Sequence, residues 1–280
     1  GGPMTPDAMI GRYSADAVRY WAASTGFGKD TIISEERIQA GAKLATKLWN
    51  VARLSERVLA GYIAPEAAPA LAPTDRWLLA RLRRLVERVT TLLSEYDYAT
   101  AKAETESFFW AALADNYLEL AKMRLYDATD PLAEGARFTL RTALLTVLKL
   151  FAPFLPYVTE EIYTTLFADE GVSIHRSAWP TLESLPTSGD DDTAMAAGDA
   201  LVAIATAVRR YKSEHGFSLG RELARLQLAT DNATLADALQ ASGADLRSVT
   251  RAMTVEISDQ LDPLLEQLPT EGAMRIAIQL

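Results

Sequence analysis

The chain has 280 residues, 49% of them apolar, and a formal charge of -9, so it can bury a full core and has room for about two domains of roughly 150 residues each. The absence of cysteine excludes disulfides, thiolate zinc sites and cysteine nucleophiles, and the two histidines, His175 and His215, lie forty residues apart without metal-ligand spacing. Net acidity argues against a uniformly basic nucleic-acid binder, so the charge has to be read stretch by stretch.

Gly1 to Met4 receive no element. Thr5-Pro6-Asp7 opens a short helix, with Pro6 suited to the first helical position. Ser14 caps a second helix, ADAVRYWAA, which Gly26 and Gly28 stop. Ser34 caps the next, with Glu35 and Glu36 favourable in its first turn. In IQAGAKLATKLWNVARL, Ile38, Leu44, Leu48 and Val51 supply the buried face, with Trp49 beside it. Lys43, Lys47 and Arg53 suit a phosphate backbone or plain solvation, and residues 41–60 carry these and Arg57 against Glu56 alone. After Gly61, YIAPEAAPALAP reads as a Pro- and Ala-rich loop.

Thr74 or Asp75 caps a helix through about Tyr96, with Trp77, Leu78, Leu82, Leu85, Val89 and Leu92 as its apolar face. Residues 71–90 carry five arginines, Arg81 and Arg84 among them, against Asp75 and Glu87. Residues 97–126, DYATAKAETESFFWAALADNYLELAKMRLY, follow as one long helix, making an antiparallel hairpin. Ala99, Ala103, Phe109, Leu113, Tyr117 and Leu120 form its apolar stripe, and Lys102, Trp110, Lys122 and Arg124 lie off it. Phe108 is expected to face outward, because Phe109 sits on the stripe. Asp130-Pro131 starts LAEGARFTLRTALLTVLKLF; Pro153 and Pro156 interrupt it, and YVTEEIYTTLF restarts as a further helix. The most apolar run, Thr142 to Val158, contains Lys149 and both prolines and is too short to span a bilayer. With no signal-peptide pattern, a soluble cytoplasmic protein is the default.

SIHRSAWP closes this helical part. Residues 181–200 then carry Glu183, Asp190, Asp191, Asp192 and Asp199 with no Lys or Arg. A helix from Ala200 to Glu214 ends in Arg209, Arg210 and Lys212, where cations suit a helix C-terminus. The remainder reads as LARLQLAT, a helical region broken at Gly243, TVEIS, another short helix and AMRIAIQL, a small mixed α/β module.

FFW, DNYLELAK and MRLY in this order resemble the anticodon-binding helical domain of the valyl-tRNA synthetases. PDAMIGRYSADAVRYWAAST is similar to the segment after the KMSKS loop in class I synthetases, and KLWN is similar to a run found in the same group. APFLPYVTEEIY and the Ser-x-His-x-x-x-Trp-Pro run are shared across the valine, isoleucine and leucine enzymes, and RRYKSEHGFSLG resembles the valine family at its place. The resemblance implies a mainly α fold, an anticodon-binding bundle followed by a small C-terminal α/β module. It divides into a stem-contact junction at 1–30, the bundle at 31–182, an acidic linker at 183–198, and a helix plus α/β module at 199–280. The HIGH and KMSKS motifs that clasp ATP are absent, as are phosphate-binding glycine loops. The expected function is therefore recognition of the tRNA(Val) anticodon by a non-catalytic part of a valine–tRNA ligase. No catalytic residue, metal or cofactor is assigned to this chain; ATP and Mg belong to the catalytic domain missing from it. A monomer without membrane contact is expected. Unpaired bases are read on aromatic or Arg planes and by their edges. That points to Arg81, Arg84, Tyr98, Lys102, Phe108, Trp110, Lys122 and Arg124 for tRNA, with no more than about half of them reaching it. Lys43, Lys47, Arg209, Arg210 and Lys212 are candidates for its backbone. The equivalent domain of an isoleucyl or leucyl enzyme stays open, as does a helical protein–protein interaction module, which predicts exposed apolar patches.

Overall fold

The computed structural model describes residues 5–26, 28–30, 32–187, 189–270 and 274–280. Gly1–Met4 and Phe27 of the predicted junction, Ser188 of the predicted linker and Ala273 of the last predicted strand lie outside the described residues. The chain forms two compact units, each assembled from three stretches. The first takes 1–63, 82–111 and 140–185; the second takes 64–81, 112–139 and 186–280.

In the first unit, α1 (Pro6–Tyr13) and α2 (Ala15–Ala22) meet at Ser14, whose φ of 96° turns the chain and whose hydroxyl accepts from the Ala17 amide. Helix α3 (Glu35–Val58) is capped by Ser34, as predicted, and buries Ile38, Leu44, Leu48 and Val51. Gly41 lets it approach α2, since a Cβ there would stand 2.7 Å from that of Tyr20. Helix α9 (Pro156–Leu166) has no side-chain cap of its own from Leu155. Buried Asp16 supplies one from α2, its oxygens accepting from the Tyr157 and Val158 amides at 3.1 and 2.7 Å. His175 is structural: its Nε2 lies 3.1 Å from the Pro156 carbonyl, while Glu160 accepts from Ser173 and from the Ile174 amide.

The chain passes between units inside helices. Helix α4 (Pro73–Ser94) leads to α5 (Tyr98–Ser107), a π-helical run Phe108–Tyr117, α6 (Leu118–Leu120) and α7 (Lys122–Tyr126). The single helix predicted over 97–126 is thus corrected. Widened i→i+5 turns shift the helical phase, so a stripe that fits Phe109, Leu113, Tyr117 and Leu120 does not extend back to Ala99 and Ala103. Ala103 is exposed, and Ala101, Lys102 and Thr105 are buried instead. Phe108 is corrected with it: at 8% exposure it joins Phe109 inside. Helix α8 (Ala133–Phe151) follows a turn in which Asp130 accepts from the Leu132 amide.

The second half of the predicted acidic linker, 191–198, is helix in the second unit. Helix α10 (Asp191–Glu214) is capped by Asp190, which accepts from the Asp192 and Thr193 amides. Asp191 and Asp192 occupy the positive end of the helix dipole, which converts a self-repelling run into a start signal. Ala194, Ala197 and Gly198 are buried, and a Cβ on Gly198 would overlap the Trp77 ring. Strand β1 (Leu223–Thr230), α11 (Ala233–Ala241), α12 (Gly243–Thr250), β2 (Ala252–Ser258), β3 (Glu266–Leu268) and β4 (Met274–Gln279) complete the unit. The sheet order is β2-β1-β4-β3, with β1 parallel to β2 and β4 antiparallel to β1 and β3. The helix predicted between TVEIS and the last strand is corrected to β3, which pairs Gln267 with Ala277. Alternation puts Leu226 and Leu228 of β1 with Ile276 and Ile278 of β4 in one core, which Leu201, Ile204 and Val208 of α10 join.

The C-terminal module predicted at 199–280 therefore does not stand alone. Its unit includes 64–81 and 112–139, tied in by Arg124. The guanidinium donates to Asp245 Oδ1 at 2.7 Å, to Asp75 Oδ2 at 2.9 Å and to the Thr74 hydroxyl at 2.9 Å. Tyr117 donates to Asp75 Oδ1 at 2.8 Å, and Thr74 donates to Asp245. Burial opposes the charge on Arg124, yet the two carboxylates hold it protonated far above the usual range.

Candidate nucleic-acid interface

Gln39, Ala42, Lys43, Thr46, Lys47 and Asn50 recur every three or four residues along α3, on a face separate from its buried stripe. With Trp110 they line an open groove of about 450 Å³ in the first unit. Trp110 is half-exposed and held from behind by aromatics. Phe109 meets it edge-on at 6.0 Å between ring centroids, and Phe151 meets Phe109 the same way at 6.2 Å. Lys47 Nζ lies 5.1 Å from the Trp110 ring centroid, within cation–π range. The arrangement offers one rigid π surface, two ammonium groups and two amide side chains that both donate and accept. Such a set can stack a flat aromatic ligand, hydrogen-bond its edge and hold a phosphate.

Of the residues singled out from sequence, the structure brings Lys43, Lys47 and Trp110 together. Arg84 is exposed on α4, and Tyr98 is half-buried at the start of α5. Arg81 is half-buried in the second unit, donates to Asp199 at 2.7 Å and stands 5.3 Å from the Trp77 ring. Lys122 is half-buried beside Glu119, Arg209 donates to Asn116 at 3.1 Å, and exposed Arg210 pairs with Glu214 at 2.8 Å.

Three charged expectations are corrected by burial, and Phe108 with them. Arg124 is 1% exposed and spends its donors on Asp75, Asp245, Thr74 and the Leu132 carbonyl. Lys102 is 4% exposed, its ammonium 3.5 Å from the Tyr20 ring centroid and 3.7 Å from Glu106. Burial pushes its pKa down, against the pull of Glu106. Lys212 is 1% exposed and donates to the carbonyls of Leu219, Arg221 and Thr250. Sequence reasoning missed Gln39 and Thr46, although the polar repeat along α3 that carries them was visible once the apolar stripe was drawn.

Residues 75–228 match the family model described as "Anticodon-binding domain of tRNA ligase". Among curated proteins, the valine–tRNA ligase of Haloarcula marismortui is 37% identical over 262 residues, which is 92% of this chain and 28% of that one. That of Methanopyrus kandleri is 39% identical over 285 residues, 99% of this chain and 30% of that one. That of Anaplasma marginale is 40% identical over 216 residues, 76% of this chain and 25% of that one. The chain spans less than a third of the length of these relatives.

Proposed function

Because the chain belongs to the anticodon-binding-domain family of tRNA ligases, we propose that it recognises the anticodon arm of valine tRNA as the non-catalytic part of a valine–tRNA ligase. The relatives named above support valine over isoleucine or leucine, since each is a valine enzyme. One observation carries the reading of the site: Trp110 offers a half-exposed ring that buried Phe109 and Phe151 hold in place, beside Lys47 and between amide side chains. An unpaired base stacks on that ring, Gln39 or Asn50 bonds its edge, and Lys43 and Lys47 meet its phosphates. ATP and Mg act in the catalytic part of the longer ligase, where the amino acid is activated and joined to tRNA. The chain acts as a monomer.

Binding of valine and isoleucine tRNAs across a salt series tests this. Trp110→Ala should erase the preference for valine tRNA, since a stacked base contributes about 1–3 kcal/mol, and should leave the salt slope nearly unchanged. Lys43→Ala should weaken both tRNAs alike and reduce the slope by about one unit. A folded Trp110→Ala chain that discriminates as well as the parent overturns the assignment. A parent chain that binds neither tRNA, but captures a protein through an apolar face, favours the interaction-module reading instead.

A further inference from the structure

The end of α10 builds a second planar surface, in the second unit. Buried Tyr211 donates its hydroxyl to Glu266 at 2.6 Å and forms the floor. His215 lies over it at 4.1 Å between centroids with the ring planes tilted by 32°, and Phe217 lies 6.0 Å from His215 with the two ring planes 21° apart. His215 Nδ1 is 2.9 Å from the Tyr211 carbonyl and donates to it, so Nε2 is the edge left free, on an exposed ring. Gly216, at φ +67°, reverses the chain, and the Phe217 amide donates back to the Lys212 carbonyl at 2.7 Å. The guanidinium carbon of Arg221 then stands 3.9 Å from the Phe217 centroid, on an exposed side chain.

This surface is held from below. The buried Lys212 ammonium grips the carbonyls of Leu219, Arg221 and Thr250, fixing the loop that carries Arg221 to the residue before Arg251. The local charge is positive in an acidic chain. Exposed Arg221 and Arg251 and the buried Lys212 stand against Glu222 and Glu266, which keeps its charge while accepting from Tyr211, and Glu214 is paired with Arg210. An arginine held over an aromatic ring face keeps N–H donors for a phosphate beside a stacked base. A flexible carboxylate side chain would make no use of the exposed ring faces.

We propose that His215, Phe217 and Arg221 form a second RNA contact, which takes an unpaired nucleotide with its base on the imidazole and its phosphate at Arg221 and Arg251. The proposal rests on the chain binding RNA and is independent of the Trp110 groove. The chain contains two histidines, so imidazole NMR reads this site directly, with His175 of the first unit as internal control. On titrating the whole chain with hexaadenylate, the His215 ring protons should shift upfield and saturate, while His175 stays in place. Arg221→Ala should raise the apparent Kd by about tenfold, and Trp110→Ala should leave the His215 response intact. A hexa-aspartate peptide should produce no shift. An unmoved His215 overturns the proposal, whether or not valine tRNA binds elsewhere. A larger shift with hexa-aspartate than with RNA also overturns it and assigns the surface to an acidic protein. Loss of tRNA discrimination in Trp110→Ala, read separately, decides the anticodon site alone.

Discussion

Replacing Arg124 with Met should be among the most destabilising single changes in this chain. The guanidinium holds both oxygens of Asp245 at 2.7 and 2.9 Å and both oxygens of Asp75 at 2.9 and 3.0 Å. All three side chains are at most 1% exposed. The loss is not symmetric: Asp75 keeps the Tyr117 hydroxyl and the Ala72 amide, whereas among the described residues Asp245 keeps the Thr74 hydroxyl alone. Removing one partner of a buried pair costs about 3–5 kcal/mol, against roughly 0–1 kcal/mol for a surface pair. Urea unfolding followed by circular dichroism should show a deficit in the first range. Adding Asp245→Leu should return about 2 kcal/mol, because the orphaned carboxylate goes with it. The deficit also depends on pH. Burial already raises the Asp245 carboxyl, and losing Arg124 removes the interaction that opposes the rise. A carboxyl whose folded pKa lies above its unfolded value stabilises while protonated and loses that contribution as pH rises through the folded value. The gap between variant and parent should therefore narrow from neutral pH toward acid. A deficit below about 1 kcal/mol together with weakened tRNA binding would refute the reasoning and make Arg124 a surface RNA contact.

Asp16→Ala should cost about 1–2 kcal/mol in urea unfolding, since it leaves the Tyr157 and Val158 amides at the start of α9 without their acceptor. Gly198→Ala should cost about 1–3 kcal/mol by forcing Trp77 aside; equal stability would mean that α10 and α4 can separate there freely. Lys102→Met should leave tRNA affinity unchanged, and a loss of more than about threefold would return Lys102 to the RNA surface. The same variant should lack one alkaline feature of the parent. Burial lowers the Lys102 pKa, so between that value and 10.5 the unfolded chain binds the extra proton and parental stability rises with pH. A parental curve falling through that window would contradict it.

Local signals were legible where a single residue decides the outcome. Ser14, Ser34 and the Pro153–Pro156 break set helix ends through their own hydroxyls or missing amides, and these positions hold in the structure. The apolar stripe of α3 was legible for the same reason. The 97–126 stretch misled because periodicity assumes one turn width, and the π-helical run changes that width where FFW places its aromatics. Arg124, Lys102 and Lys212 misled differently. Sequence marks a cation as surface, and what reverses that is a partner far along the chain, as Asp245 is for Arg124. The acidic run around Asp190 was read through its charge, when its meaning came from the helix that starts beneath it.

The interleaving of the two units bears on how the chain is made. Residues 1–63 belong with 140–185, so the first unit lacks a third of its segments until residue 185 has emerged from the ribosome. At roughly 5–20 residues per second, the wait after residue 63 lasts about 6–24 s. During that time the apolar sides of α2 and α3 lack α9, and Asp16 lacks the amides it will cap. Nascent chains stalled short of residue 185 should therefore be the ones that chaperones hold and proteases cut.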